Sequence, residues 1–270
     1  MILLVGILCL CPEFVSQAQT NGFNVLTNLQ LSLSDTYASG WVTPTSWKLV
    51  YDKQVVQNEV ILQLNTPQSK FMDGVRIGAW IQNPLRENDS FAPPAGEVDY
   101  FFGILGPTLK GLKSFVEVRF IDVGGPKGAE VGTFGDNDLL RFRLRLDYPI
   151  KFDHGRQTIT PTFGYFRMIP IHYQPKTAGN SMYGQLSYEF KPCAWFRIGI
   201  NGGIMHDDGI RGGIPADIGS YGVLGGLRPF KGYPECWLNA GYQRYHTFDD
   251  PINRPHKDFD LLAFNVTTKF

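Results

Sequence analysis

Between Leu140 and Leu146 the chain reads Leu-Arg-Phe-Arg-Leu-Arg-Leu. Successive side chains of a β-strand point to opposite faces. As a strand, this stretch has one wholly apolar face (Leu140, Phe142, Leu144 and Leu146) and one wholly cationic face (Arg141, Arg143 and Arg145). A helix, with its period of about 3.6 residues, would mix the two sets on every face. The same period of two recurs. Val116, Val118 and Phe120 oppose Glu117 and Arg119, and Phe196, Ile198 and Ile200 oppose Arg197 and Asn201. Near the end, Leu262, Phe264, Val266, Thr268 and Phe270 oppose Asn265, Thr267 and Lys269. A chain built this way must find a solvent for each of two incompatible faces.

The pattern predicts strands at 45–52, 58–65, 74–82, 97–105, 113–122, 138–148, 157–167, 181–190, 193–202, 219–229, 235–244 and 260–270. Segment 23–33 alternates as well and is either an extra strand or part of the first one. Counting back from the C-terminus, long linkers (245–259, 203–218, 168–180, 123–137, 83–96) alternate with shorter ones (230–234, 191–192, 149–156, 106–112, 66–73). Transmembrane barrels have this parity, with short turns at one rim and longer loops at the other, whereas a soluble sandwich has no reason to keep it. The parity breaks only at 53–57, which is short where a long loop is due.

Several of these strands reach the roughly 9–11 residues that a tilted strand needs to cross a bilayer, against about 5–6 for the usual soluble strand. A sheet in lipid must also close, because an open edge leaves backbone groups unpaired. The expected fold is therefore all-β, a transmembrane antiparallel up-and-down barrel of about twelve strands, with ten and fourteen as the neighbouring even counts. Charged residues make up 19% of the chain, below the globular average of roughly 25%. Aromatic residues make up 14%. Many of these fall near strand ends (Trp47, Tyr51, Tyr148, Phe163, Tyr165, Tyr188, Phe190, Tyr242), where amphipathic rings favour a lipid–water boundary. Lys+Arg and Asp+Glu are balanced at 25 each, so charge points to no nucleic-acid partner.

Residues 1–18 read as a signal peptide. Met1–Leu10 is almost wholly aliphatic, Pro12 ends the run, and Ser16-Gln17-Ala18 offers small residues for cleavage after Ala18. No Lys or Arg precedes the apolar stretch. Residues 19–270 are expected to form a single barrel domain. The terminal segment Asp260–Phe270, with Leu262, Phe264, Val266 and Phe270 on one face, resembles the insertion signal of Gram-negative outer-membrane barrel proteins. That resemblance implies outer-membrane lipid and the barrel-assembly machinery as partners, and the cell outer membrane as destination. The run Arg141–Pro149 resembles a strand of the nucleoside-specific channel family, also built on twelve strands.

Chemistry-bearing residues fall into two groups. On the inner wall are Arg76, Arg119, Arg141, Arg143, Arg145 and Arg197, with the carboxylates Asp99, Glu117 and Glu189. Either the arginines line a water-filled pore for small polar or anionic solutes, or they pair with those carboxylates and fill the barrel. The second group is in the proposed outer loops: His206-Asp207-Asp208, His246 with Asp249 and Asp250, His256 with Asp258, and His172. A His beside a carboxylate can activate water, so an enzyme with a site at the extracellular rim is the alternative to a channel, with a plugged structural or adhesive barrel as a third reading. The sequence contains no Gly-x-Ser-x-Gly elbow, phosphate loop or dinucleotide fingerprint. No catalytic set, metal site or cofactor is therefore predicted. Cys193 and Cys236 are expected to be free thiols, too many strand spacings apart to bridge.

Overall fold

The computed structural model describes residues 28–42, 49–51, 54–67, 69–85, 97–123, 138–171, 178–209, 215–230, 235–248 and 258–270. The expected signal peptide (1–18), His172, Asp249, Asp250 and His256 lie outside these residues.

Twelve long strands close into one antiparallel barrel. They are β1 (Leu29–Ala38), β4 (Val55–Asn65), β5 (Gly74–Pro84), β6 (Glu97–Leu105), β7 (Lys113–Val123) and β8 (Leu139–Asp147), followed by β10 (Gln157–Pro170), β11 (Gly179–Cys193), β12 (Phe196–Asp207), β13 (Ala216–Leu227), β14 (Glu235–Thr247) and β15 (Asp258–Lys269). Each pairs with its neighbours in sequence, and β15 returns to pair with β1. A separate two-stranded piece joins β2 (Trp41–Val42) to β3 (Leu49–Tyr51), and β9 (Ile150–Phe152) extends one turn by pairing with β10.

The sequence reading needs one correction at the N-terminal end. Within the expected strand 45–52, the described residues Leu49–Tyr51 pair with Trp41–Val42 outside the barrel sheet, and the first staves are Leu29–Ala38 and Val55–Asn65. The alternation of Leu29, Leu31 and Leu33 is a wall strand, and its face breaks at Asp35, which accepts a hydrogen bond from Asn58 at 2.6 Å. With β1 in place, the connection 39–54 is long, which removes the break in parity at the N-terminal end. Strands also run further than expected toward the long-loop rim. β12 reaches Asp207 and β14 reaches Thr247, so their last turns stand beyond the apolar band. Cys193 closes β11 instead of opening β12, which leaves two strands between it and Cys236; both thiols are free.

The faces sort as period two requires. Phe102, Ile104, Val116, Phe142, Ile198, Ile200, Ile204, Val223, Leu238 and Phe264 are exposed on the outside. Glu117, Asp99, Arg119, Arg141, Phe101, Phe115 and Phe166 are buried inside. An apolar exterior around a polar interior inverts the soluble arrangement and suits lipid. The seam between chain ends is stitched twice. Leu31 and Phe270 exchange backbone hydrogen bonds at 3.2 and 2.8 Å. Inside, the Asn265 amide donates to Ser34 (2.6 Å) and Thr36 (2.8 Å), while its oxygen accepts from Asn239 (3.1 Å) and Thr267 (2.6 Å).

Candidate functional site: a divided barrel lumen

An eight-stranded barrel has an interior just wide enough for its side chains, while sixteen to eighteen strands leave an aqueous channel. At twelve, the size of the inward side chains decides, and here it differs from one side of the barrel to the other.

On the wall from β5 to β8 and β10 the inward residues are large. Glu117 is fully buried and receives three guanidinium groups: Arg76 at 3.1 Å, Arg119 at 3.1 Å and Arg141 at 2.9 Å. Arg119 also donates to Asp99 at 3.0 Å. Aromatic rings fill the spaces between. The Arg76 guanidinium lies 3.7 Å from the Phe115 ring centre and that of Arg119 lies 4.6 Å from Phe101, while those of Arg141 and Arg143 lie 5.5 and 5.4 Å from Phe166. Charges stacked on ring faces and paired with carboxylates tolerate removal from water that isolated ones would not. Two glycines make the packing possible. A Cβ on Gly103 would come within 2.5 Å of the Phe115 ring, and one on Gly164 within 1.9 Å of Tyr183, so both rings lie flat against bare backbone.

The wall from β12 to β14 is the opposite. By the same alternation its inward positions at mid-height are Arg197, Gly199, Asn201 and Gly203 on β12, Ser220, Gly222, Leu224 and Gly226 on β13, and Asn239, Gly241 and Gln243 on β14, with the larger Met205, Ile218, Trp237 and Tyr245 toward the strand ends. Short side chains leave room. A cavity of about 240 Å³ is bounded by Arg143, Arg145 and Tyr183 on one side and Asn201, Gln243 and Tyr245 on the other. A second of about 240 Å³ lies nearer the short-turn rim between Thr158, Ser187, Glu189, Arg197 and Leu224, and Asn201 borders both. Leu224 faces inward yet is 38% exposed, the mark of a side chain opposite empty space.

The six predicted arginines therefore divide. Arg76, Arg119 and Arg141 belong to the filled half. Arg143 and Arg145 border the open half. Arg143 has no carboxylate within ion-pair distance among the described residues and donates to the Tyr183 hydroxyl at 3.3 Å. Arg145 holds Asp147 through Nε at 2.9 Å and is otherwise 41% exposed. Arg197 lies at the other end of the open side, 4.4 Å from the Trp237 ring centre, with Glu189 at 3.6 Å and Asn239 at 2.8 Å. The sequence reading missed the neutral residues Asn201, Gln185 and Gln243. The signal that could have found them is the density of glycine on the alternate positions of 199–226.

No family model matches the sequence, and no curated protein matches it. Solved structures do match the architecture. An outer-membrane channel from Pseudomonas putida F1 aligns with a TM-score of 0.54 over 90% of this chain and 95% of that one, at 10% identity. The fold is that of an outer-membrane β-barrel. Two further barrels align with TM-scores of 0.46: the KdgM porin, at 8% identity over 89% of this chain and 98% of that one, and the translocator domain of the autotransporter NalP from Neisseria meningitidis, at 11% identity over 96% and 92%. At these identities the likeness is one of architecture.

In an outer-membrane barrel the short turns face the periplasm and the long loops the exterior. The short turns here carry exposed Phe71, Phe152, Trp195 and Phe230, rings of the kind that anchor at a lipid boundary. At the other rim the described histidines and their acidic neighbours do not converge on one point. His206 points outward, with Nδ1 at 2.7 Å from Asp217 and Nε2 at 3.0 Å from Asp208, all about half exposed. Asp207 points inward, is fully buried and accepts from the Gly209 N–H at 3.2 Å. Neighbours on a strand face opposite ways, so the wall separates the two halves of the predicted set. His246 likewise pairs with Asp258 on the outside. Among the described residues no group of three or more metal-binding side chains converges.

Proposed function

We propose that this protein is an outer-membrane channel for passive diffusion of small polar and anionic solutes, with the path along the glycine-lined side of the lumen. The observation that carries this reading is the pair of cavities along β11–β14 that both border Asn201, beside a wall that its own arginines, carboxylates and rings fill. Arg143, Arg145 and Arg197 would set selectivity; Arg76, Arg119, Arg141 and Glu117 would hold the barrel's shape. Delivery would use residues 1–18 as a signal peptide. The assembly machinery would read Leu262, Phe264, Val266 and Phe270 on β15, whose first three side chains already face outward and exposed.

Planar-bilayer recording tests it. Purified protein in potassium chloride should give discrete conductance steps, with a reversal potential under a salt gradient that favours chloride. A protein that inserts and stays electrically silent would contradict the proposal and favour a barrel closed by its own side chains, the reading that the packed half supports.

A further inference from the structure

The cavity between Arg143 and Gln243 has a chemical polarity that a merely wet gap would not need. Its β8 side presents two guanidinium groups. Among the described residues Arg143 has no carboxylate within ion-pair distance, although Glu117 stands opposite it in the β7–β8 register, and Arg145 engages Asp147 only through its Nε, while Thr162 also holds the Asp147 Oδ1 at 2.6 Å. Its far side presents the amides of Gln185, Asn201 and Gln243. Amides both donate and accept, as hydroxyl groups do. Among the described residues no Asp or Glu lines the cavity. The Asn201 side-chain oxygen is buried and has no hydrogen-bond partner among the described residues, and rotation about the last torsion, which is soft for Asn, turns it toward the space that the side chain borders. A simple anion can answer the guanidiniums but has no proton to give that oxygen. A ligand that is anionic at one end and hydroxylated at the other answers both. The volume, about 240 Å³, falls just below the roughly 300–1,000 Å³ of typical small-molecule pockets, which fits one short chain or ring.

We propose that this cavity is a saturable binding subsite for a small hydroxylated carboxylate, its carboxylate held by Arg143 and Arg145 and its hydroxyls by Gln185, Asn201 and Gln243. The assignment rests on reading the open side of the lumen as the solute path. It makes the passage selective by occupancy and not by charge alone.

The test is calorimetric titration of the detergent-solubilised full barrel at low salt, with gluconate as probe and acetate and sorbitol as controls. Gluconate should bind saturably, and each control, lacking one half of the ligand, about tenfold or more weakly. Arg143→Gln should weaken gluconate by about tenfold or more. Because Arg143 also packs on Phe166, Asn201→Ala is the second variant. It removes no recorded bond of the Asn201 oxygen and should weaken gluconate while leaving the circular-dichroism spectrum and melting unchanged. The inference is overturned if gluconate gives no saturable heat, if acetate binds as well as gluconate, or if Asn201→Ala binds like the parent. Conductance without gluconate binding would overturn the subsite and leave the channel standing. Binding without conductance would do the reverse.

Discussion

Glu117 is the residue on which the filled half of the lumen depends. Three arginines aim at one fully buried carboxylate, so removing it leaves Arg119 with Asp99 and takes from Arg76 and Arg141 their carboxylate partner. Breaking a buried ionic set by deleting one partner costs about 3–5 kcal/mol. Glu117→Ala should lower stability by that order in urea unfolding from lipid vesicles, whereas Arg145→Gln, at an exposed pair, should cost about 1 kcal/mol or less and should weaken chloride preference in bilayer recordings. The outer face gives a residue-scale check on the membrane reading. Ile200 is exposed near the middle of β12. An arginine at the bilayer midplane of a barrel costs about 2–4 kcal/mol. Ile200→Arg should therefore destabilise the vesicle-inserted barrel by that amount, while a soluble protein would gain from the same exchange.

At the scale of the strand, alternation was legible wherever it ran unbroken. Leu140–Leu146 and Leu262–Phe270 read correctly from residues alone, as did the inward direction of the six arginines. The first stave did not, because Asp35 interrupts the outer face of β1 and only its hydrogen bond to Asn58 across the sheet makes that position acceptable. Nor could the sequence show which arginines are neutralised. Arg76 meets Glu117 across forty-one positions and Arg119 meets Asp99 across twenty; these pairs exist only once the register of β5, β6 and β7 is set. The open wall was hidden for a related reason. Inward glycine in a strand reads as a weak strand signal, yet in a closed barrel it is what leaves the space. Gly241 offers a direct trial, since a Cβ there meets only Leu224 at 3.4 Å and a backbone oxygen at 3.5 Å. Gly241→Leu should fold normally and lower single-channel conductance. On β15, Phe270→Ala should reduce the protein found in the outer membrane of cells without slowing refolding into vesicles, because the backbone bonds of Phe270 to Leu31 do not need the ring.

For the whole molecule, twelve strands place the barrel between closed and open, and its two halves differ. One half fills its interior with ion pairs and rings. The other carries glycines and amides at mid-height and leaves the two cavities along which the proposed path would run. The central claim is that this path is off-centre, and substituted-cysteine accessibility under bilayer recording addresses it most directly. In a background with Cys193 and Cys236 replaced by serine, Gln243→Cys on the open wall and Phe101→Cys in the filled wall would be exposed to a methanethiosulfonate reagent. The account expects the Gln243→Cys current to fall on modification and the Phe101→Cys current to hold. A Gln243→Cys current that ignores the reagent, or a Phe101→Cys current that falls, would contradict it.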